Sequence, residues 1–436
     1  MKNHNVCALA VLGSLCAASV ATAQTTQEIL SPAAGKVIYV STKGKKKNDG
    51  SAPDKPMKGI DKAIEAAAEG DTIAVAEGTY KAGFGAGFWE LDKGVKLYGG
   101  FSEDFSERNW VTHKTLLQPG EDRFEKSGGK DMLFRGDNKY INGLVVDGFI
   151  FEAGAMTPYE PEKGKPEGVE TGMMKIGPGS RNPVPKGINV SGNDITIRNN
   201  VFVNLGGGGV NVVIQGNRGA QLKDTGKCEI ANNVFVACRM YSISVNGGDR
   251  EPITTPVNIH HNTILFTWSR LKDMGDNGYG IDIGTKIPYL IENNIMALNI
   301  GPGMSSQRFN EDIEFNNNLF WGNKKKDLWF CPSGGTNIKI ECDEFEDLDF
   351  DNEGNSNEPI ALPLNKAYTE GVLAASYSEK TDYDENSEAN RLRELFGLNK
   401  QGKIDSTASM FANRYPWEET LALFGAVPDK GAQAPQ

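Results

Sequence analysis

The chain has 436 residues, 51 of them glycine, and a formal net charge of −11 at pH 7. This acidic balance argues against a nucleic-acid-binding protein, which needs a surface rich in lysine and arginine. Beyond the N-terminal segment, no stretch approaches the roughly 20 apolar residues that a membrane-spanning helix requires.

Residues 1–23 have the features of a secretory signal peptide. Lys2 supplies a positive charge, Ala8–Val20 is apolar, and Ala21–Ala23 is a small-residue cleavage sequence. We therefore expect cleavage after Ala23 and export to the periplasm, the cell surface or the medium. Residues 24–36 are then a lead-in segment.

The first regular element after the lead-in and an initial strand is an amphipathic helix predicted over Met57–Glu69. Its apolar residues recur at helical spacing from Ile60 to Ala67, and Gly70 ends it. Such a helix can cover the open end of a stack of strands, whose edge would otherwise present unpaired backbone groups.

A short phrase in which apolar and polar residues alternate around asparagine returns along the middle of the chain. Its copies are Ile195–Phe202, Glu229–Phe235, Asn258–Ile264, Leu290–Ile295 and Ile313–Phe320, with a looser copy at Val145–Phe151. The alternation predicts two short strands that meet at a corner. The matching residues Asn200, Asn233, Asn262, Asn294 and Asn317 are 33, 29, 32 and 23 residues apart. Such a period predicts a solenoid with stacked asparagines.

A third strand is predicted in each repeat from runs of the form Gly-Ile-x-Ile. These runs are Gly187–Val190, Gly209–Val212, Ser242–Val245, Gly280–Ile283 and Gly303–Ser305. Three strands per repeat are typical of an all-β, single-stranded parallel β-helix.

In these features the chain resembles the pectate-lyase-like superfamily of right-handed parallel β-helices. Val37–Lys81 and Val95–Trp110 are also similar to phrases found near the start of secreted members. The resemblance covers about residues 37–330, which we assign as the β-helix domain. It implies the fold and a substrate groove on the sheet of third strands. It does not specify the activity, because the scaffold hosts lyases, hydrolases, epimerases, adhesins and tailspikes.

Two regions depart from the repeat. Residues 152–186 form a Pro/Gly/Glu-rich insertion between two coils. Residues 331–436 are expected to be a C-terminal appendage that packs on the β-helix and contains short helices at Ser387–Leu395 and Pro416–Phe424.

Four cysteines follow the signal peptide: Cys228, Cys238, Cys331 and Cys342. Their even number in an exported protein permits the disulfides Cys228–Cys238 and Cys331–Cys342. Buried thiols, which pack well in protein cores, are the alternative.

One residue of each third strand is predicted to face outward, because successive side chains in a strand alternate between faces. Stacking the repeats aligns these residues in one column, which we call the outward column: Asn189, Asn211, Ser244, Asp282 and Ser305. A polar column on a flat parallel sheet suits a sugar-binding face. A merely solvated face is the alternative.

The loops beside the outward column carry basic and aromatic side chains. Arginine or lysine can neutralise a uronate carboxylate and so acidify the neighbouring C–H group, from which a base can then remove the proton. We therefore assign Lys272, Arg270 and Asp282 as catalytic candidates. The substrate-binding candidates are Asn189, Asn211, Ser244, Arg239, Tyr241, Arg250, Trp268, Tyr279, Lys286 and Arg308.

Asp282, the carboxylate of the outward column, leaves two further interpretations open. Together with Asp249 or Asp276 it could hold Ca²⁺, which takes oxygen ligands readily. The sequence predicts no other cofactor. Paired with another carboxylate at a suitable separation, Asp282 could instead serve a glycoside hydrolase.

The leading hypothesis is an exported carbohydrate-active protein that acts on an acidic polysaccharide by lyase-type β-elimination. A non-catalytic protein that binds glycans or has a structural role at the cell surface is the first alternative, and a glycoside hydrolase is the second. The sequence does not indicate which glycan is bound or which oligomeric state the protein adopts.

Overall fold

The computed structural model describes residues 25–31, 35–82, 89–119, 132–135, 140–153, 186–214, 226–247, 253–268, 278–284, 286–306, 313–330, 338–348, 351–376, 385–401 and 414–435. The predicted signal peptide and nearly all of the 152–186 insertion lie outside these residues. No helix in the described ranges is both long enough and apolar enough to cross a membrane.

The described strands wind into a right-handed parallel β-helix, which confirms the predicted fold. Each complete coil contributes one strand to each of three sheets. The first sheet contains β1 (Val37–Val40), β2 (Thr72–Ala76), β5 (Lys96–Phe101), β8 (Leu144–Asp147), β11 (Ile195–Arg198), β14 (Cys228–Ala231), β17 (Val257–His260), β20 (Tyr289–Glu292) and β23 (Ile313–Asn316). The second contains β3 (Gly78–Lys81), β6 (Thr115–Gln118), β9 (Ile150–Glu152), β12 (Val201–Val203), β15 (Val234–Val236), β18 (Thr263–Leu265), β21 (Ile295–Ala297) and β24 (Leu319–Trp321). The third contains β4 (Trp89–Leu91), β7 (Leu133–Arg135), β10 (Ile188–Ser191), β13 (Val210–Ile214), β16 (Tyr241–Gly247), β19 (Tyr279–Ile283), β22 (Met304–Ser306), β25 (Leu328–Phe330) and β26 (Ile338–Ile340).

The interior of the coils is filled by side chains that repeat from coil to coil. In the second sheet, Phe151, Phe202 and Phe235 occupy successive positions in register. Their rings stack nearly parallel, with centroid separations of 4.9 and 4.7 Å. Identical side chains at one position thus stack in the core, which is the reason why the sequence phrase repeats the same apolar residue at the same place in these coils.

An asparagine ladder closes the corner between the first and second sheets. The side-chain oxygen of each ladder residue accepts hydrogen bonds from the backbone N–H and the amide of the ladder residue one coil earlier, as Asn233 does for Asn200 at 3.0 and 3.1 Å. The ladder contains Asn200, Asn233, Asn262, Asn294, Asn318 and Asn355. The predicted stacking of asparagines is therefore confirmed.

The structure corrects the prediction at one position of the ladder. Asn318, not Asn317, joins Asn294, at 3.0 Å. Asn317 instead takes the left-handed backbone conformation, with φ of 56°, as Asn199 does with φ of 59°. Each corner thus needs two residues with different tasks, since the first turns the chain and the second bonds along the stack.

Replacing Asn262 by alanine is expected to lower the free energy of unfolding by about 2–4 kcal/mol, because the buried N–H groups of Asn233 would lose their acceptor. The half-buried Asn258 lies in the same coil but outside the ladder. Asn258→Ala should change stability by less than about 1 kcal/mol. Urea unfolding of both variants measures the difference. Equal effects would mean that the ladder contributes nothing specific.

The predicted capping helix is present but shorter than predicted. Helix α2 spans Ile60–Ala66 and follows the four-residue helix α1 (Thr26–Ile29). Its buried residues Ile60, Ala63 and Ile64 join the core of the coils. Gly70, with φ of 82°, makes the turn into β2.

The C-terminal residues cover the outer face of the second sheet. A 3₁₀ helix at Cys342–Asp347 instead packs Cys342 and Phe345 against the core of the coils. The residues over the second sheet contain a 3₁₀ helix at Trp417–Leu423 and the helices α3 (Lys366–Ser376) and α4 (Glu388–Leu395). Outward-facing residues of the second sheet, such as Val201 and Val203, form one buried cluster with residues of these helices. This double burial explains why its strands read as unbroken apolar runs.

The described cysteines are buried thiols. Cys228, Cys238 and Cys342 are all free, so the pair Cys228–Cys238 forms no disulfide. Burial raises the pKa of each of these thiols to about 12, which makes them unreactive near neutral pH. Cys331 lies outside the described residues.

A buried ion cluster ties the loop after β5 to the coils. Asp147 accepts hydrogen bonds from Arg108, from Arg198 Nε at 2.7 Å and from Asn199 Nδ2 at 2.8 Å. The Arg108 guanidinium also lies 5.4 Å from the ring centres of Tyr98 and of the loop residue Trp110. Burial alone would raise the pKa of Asp147, but the two guanidinium groups and the hydrogen bonds outweigh it and lower that pKa.

Candidate functional site

Strand pairing places the residues of the outward column side by side. Asn189 pairs with Asn211, Asn211 with Ser244, Ser244 with Asp282, and Asp282 with Ser305. The column continues to Trp329 at one end, and at the other it passes through β7 to Glu90. The predicted register is therefore confirmed, while the predicted function of the column is a separate question.

Asp282 combines burial with an outward position. The flanking Ile281 and Ile283 belong to the hydrophobic core, so the Asp282 side chain points away from it. Asp282 is nevertheless only 7% exposed. Burial raises the pKa of its carboxyl from 3.8 to about 7, against a smaller lowering by a hydrogen bond with Ser244. Asp282 therefore carries a proton over much of the range below neutral pH.

One oxygen of this carboxyl lacks a hydrogen-bond partner among the described residues. This atom is the buried Asp282 Oδ1. Asn246 Nδ2 donates to Ser244 Oγ at 2.8 Å, which leaves the Ser244 hydroxyl hydrogen for Asp282. A buried polar atom without a partner is costly, and a bound substrate group would satisfy it.

The two asparagines of the column are less enclosed than its serines and Asp282. Asn211 Nδ2 donates to Asn189 Oδ1 at 2.8 Å, and both side chains are half-buried. Ser244 and Ser305 are buried, at 1% and 5% exposed. The column thus runs from an amide-lined half towards a more enclosed half around Asp282.

Aromatic residues lie beside the enclosed half. Tyr241 and Tyr279 pair in register on neighbouring strands, and both are half-buried. The Tyr279 ring meets the Trp329 ring edge to face, with centroids 6.0 Å apart. Lys339 Nζ lies 4.2 Å from the Trp329 ring centre. Half-exposed aromatic rings next to polar groups suit the apolar C–H faces and hydroxyl groups of sugars.

Trp329 and Lys339 were not predicted from the sequence. The run Leu328–Phe330 lacks the leading glycine found in four of the five predicted third strands, and it follows the asparagine phrase closely. Leu328, Trp329 and Phe330 are all apolar, so no alternation in the sequence marks Trp329 as the outward-facing residue.

Arg239 and Trp268 do not fit their predicted place as sugar contacts. Both are only 1% exposed, and the Arg239 guanidinium lies 4.6 Å from the Trp268 ring centre. Trp268 Nε1 donates to the Ala237 carbonyl at 3.1 Å. This stacked pair stabilises the corner after the second sheet and is not accessible to a polymer.

The remaining predicted contacts fall into two groups. Lys286 is exposed on the turn after β19, where it adopts a φ of 59°. The others lie outside the described residues: Lys272, Arg270, Arg250, Arg308, Asp249 and Asp276. Among the described residues, no three His, Cys, Asp or Glu side chains form a group that could hold a metal ion. Because two proposed ligands fall outside those ranges, Ca²⁺ binding stays a prediction.

The carboxyl of Asp327 also has a raised pKa, but its hydrogen bonds give it a structural role. Burial raises the pKa of Asp327 to about 7. In contrast to Asp282, both Asp327 oxygens are bonded, to Asn323 Nδ2 and to the Cys342 N–H, each at 3.0 Å. Asp327 thus closes the end of the last described coil.

Comparisons with known proteins do not identify an activity for this chain. Residues 42–133 match the model of a family described as a protein of unknown function, DUF1565. No curated protein matches the sequence.

Three solved structures are similar to this chain at low identity. The pectate lyase Pel9A is 17% identical over 66% of this chain and 70% of its own, with a TM-score of 0.34. The complex of XylC with xylose is 13% identical over 67% and 63%, with a TM-score of 0.39. A rhamnogalacturonan lyase is 10% identical over 84% and 99%, with a TM-score of 0.22. At these values the names of the neighbours do not say what this chain acts on.

Proposed function

We propose that this protein is a carbohydrate-active β-helix protein that binds an acidic polysaccharide along the outward column and cleaves it by β-elimination. The observation that carries the proposal is the outward-facing Asp282 carboxyl, which is buried between two serines of the column and whose pKa burial raises to about 7. The predicted signal peptide would place this activity outside the cytoplasm.

β-Elimination needs a base and an acid on one sugar linkage. The base removes the proton next to the uronate carboxylate, the electron pair forms a carbon–carbon double bond, and the glycosidic C–O bond breaks. The leaving oxygen then needs a proton. Asp282 is proposed to donate it, because a general acid is most useful when its pKa lies near the working pH.

The other roles follow from the predicted site. Lys272 and Arg270 are proposed as the base and the group that neutralises the uronate carboxylate. The chain of sugars would contact the amides of Asn189 and Asn211. Further contacts are proposed for Tyr241, Tyr279, Arg250, Lys286 and Arg308.

Within the described part of the outward column, Asp282 has no second carboxylate at the distance that a glycoside hydrolase needs. Retaining and inverting hydrolases use two carboxyl groups roughly 5–9.5 Å apart. Asp282 has serines on both neighbouring strands of the column. Glu90, the other carboxylate among the described column residues, lies five strand spacings of about 4.8 Å away, or about 24 Å.

Incubation of the mature protein with a panel of uronic polysaccharides tests the proposal. The expected result is an increase in ultraviolet absorbance from unsaturated products on at least one polymer. New reducing ends without that absorbance would identify a hydrolase. Binding without cleavage, from folded protein, would identify a glycan-binding protein and reject the catalytic proposal.

A further inference from the structure

A second candidate site lies at the N-terminal end of the β-helix, far from Asp282. An open cavity of about 940 Å³ lies between the loop after β1, helix α2 and the strands β3 and β4. All of its lining residues belong to the described part of the chain and fall within the segment that matches the family model. Nothing in the proposed cleavage reaction uses it.

The rim of this cavity is basic in a protein that is acidic as a whole. Five lysines line it: Lys45, Lys46, Lys58, Lys62 and Lys81. The carboxylates that line it are Asp61 and Glu65, and Glu65 forms an ion pair with Lys62. With a formal net charge of −11 for the chain, an anion would be repelled by most of the surface and attracted here.

The floor of the cavity is apolar. It includes Met57, Ile60, Tyr80 and Trp89. Tyr80 and Trp89 are only 5% and 2% exposed, and the Tyr80 hydroxyl donates to the Ala76 carbonyl at 2.8 Å. The aromatic side chains of the floor are therefore held in place. An apolar floor under a rim of ammonium groups suits an organic anion that has one apolar face, such as a uronic sugar with its C–H face and carboxylate.

The cavity lies at the N-terminal end of the sheet that carries the outward column. Trp89 begins β4, the first strand of the third sheet, and the next residue, Glu90, heads the column. Asp282 lies about 24 Å further along, at five inter-strand spacings of about 4.8 Å. The cavity therefore lies at the same end of the third sheet as the first residue of the outward column.

We propose that the lysine-rimmed cavity is an anchoring site for an acidic oligosaccharide segment, separate from the site of bond cleavage. This inference rests on the proposed function for its ligand class, since the same acidic polymer would occupy both sites. It predicts that a short uronic oligosaccharide binds here even when no bond is broken.

The first test is a footprint of lysine acetylation with a uronic acid trimer as the probe. The trimer should protect Lys45, Lys46 and Lys58 several-fold, and leave Lys43 and Lys47 unchanged. Lys43 and Lys47 are exposed in the same loop but do not line the cavity. A neutral glucose trimer should protect none of them. Equal protection of the three rim lysines and the two control lysines, or protection of none of them, would overturn the proposal.

The second test compares matched charge reversals by calorimetric titration with the same trimer. Lys46→Glu should weaken binding at least tenfold, whereas Lys47→Glu, which makes the same change next to it, should weaken binding less than twofold. Lys58→Glu and Lys55→Glu form a second matched pair. Equal weakening within a pair would indicate general electrostatics and reject the site. Competition by inorganic sulfate at the same concentration as the trimer would reject a saccharide ligand.

The experiments distinguish a wrong assignment of the anchoring site from a wrong assignment of the cleavage activity. Trimer protection at the cavity without cleavage of any polymer would keep the anchoring site and reject the lyase. Cleavage that is unchanged in Lys46→Glu, together with no protection, would keep the lyase and reject the anchoring site.

Discussion

Replacing Asp282 by asparagine is expected to lower the rate of polysaccharide cleavage by about 100- to 10,000-fold, the range lost with a general acid. Asparagine has nearly the same shape and can keep the contact with Ser244, but it cannot give up a proton to the leaving oxygen. The initial rate of absorbance increase on the preferred polymer measures the effect. Binding of the polymer should change much less than the rate.

Ser305→Ala is the matched control for this variant. Ser305 lies on the next strand in register with Asp282 and is similarly buried. Its hydroxyl does not titrate in the working range, so its loss should lower the rate less than tenfold. If both variants lost the same activity, Asp282 would be one polar contact among others and not the acid.

The same carboxyl gives a distinct pH dependence. Its pKa is raised from 3.8 to about 7 in the folded protein. The stability that it contributes is therefore complete below about pH 4 and is lost as the pH rises through 7. Asp282→Asn removes this loss, so the variant should lose less stability than the wild type between pH 4 and pH 8. The cleavage rate of the wild type should fall above about pH 7, as Asp282 loses its proton.

Replacing Asp147 by alanine is expected to destabilise the fold by about 3–5 kcal/mol, because the buried Arg108 guanidinium would lose the charge that compensates it. The Arg108 side chain is 3% exposed and cannot turn to solvent without unpacking Tyr98 and Trp110. Urea unfolding at pH 7 measures the change. Asp194→Ala, at an exposed carboxylate near the same coil, should alter stability by less than about 0.5 kcal/mol.

Lowering the pH should reduce the stability contributed by Asp147, whereas it should increase the stability contributed by Asp282. The folded-state pKa of Asp147 lies below its ordinary value. Its contribution to stability is therefore present above about pH 4 and is lost as the pH falls through that lowered pKa. The stability difference between wild type and Asp147→Ala should shrink on going from pH 6 to pH 3. A difference that stays constant would mean that the ion pairs do not stabilise the fold.

The fold and the column register could be predicted because both depend on short-range periodicity. Alternation fixes which side chains of a strand face inward, and a repeat fixes which strands pair. The error at Asn317 arose because Asn316, Asn317 and Asn318 are three asparagines in a row, so that a shift by one residue leaves the phrase looking the same.

Burial of charged and aromatic loop residues could not be predicted in the same way. Arg239 follows a corner and would ordinarily be assigned to solvent, yet it stacks on Trp268 inside the fold. The helix α3 was missed because its sequence lacks a strong amphipathic pattern. It is held by contacts of Tyr368, Val372 and Leu373 with the second sheet, and these are remote in sequence.

The asparagine ladder joins neighbouring coils in the same way whatever their length. Consecutive ladder residues are separated by 33, 29, 32, 24 and 37 residues, yet every pair is joined by the same hydrogen bond between side-chain amides. The vertical rise between coils is thus independent of how many residues each coil contains. Loops beside the outward column can therefore be lengthened, shortened or replaced while the register of the column is preserved. A scaffold of this kind lets substrate preference evolve without renewed selection for folding.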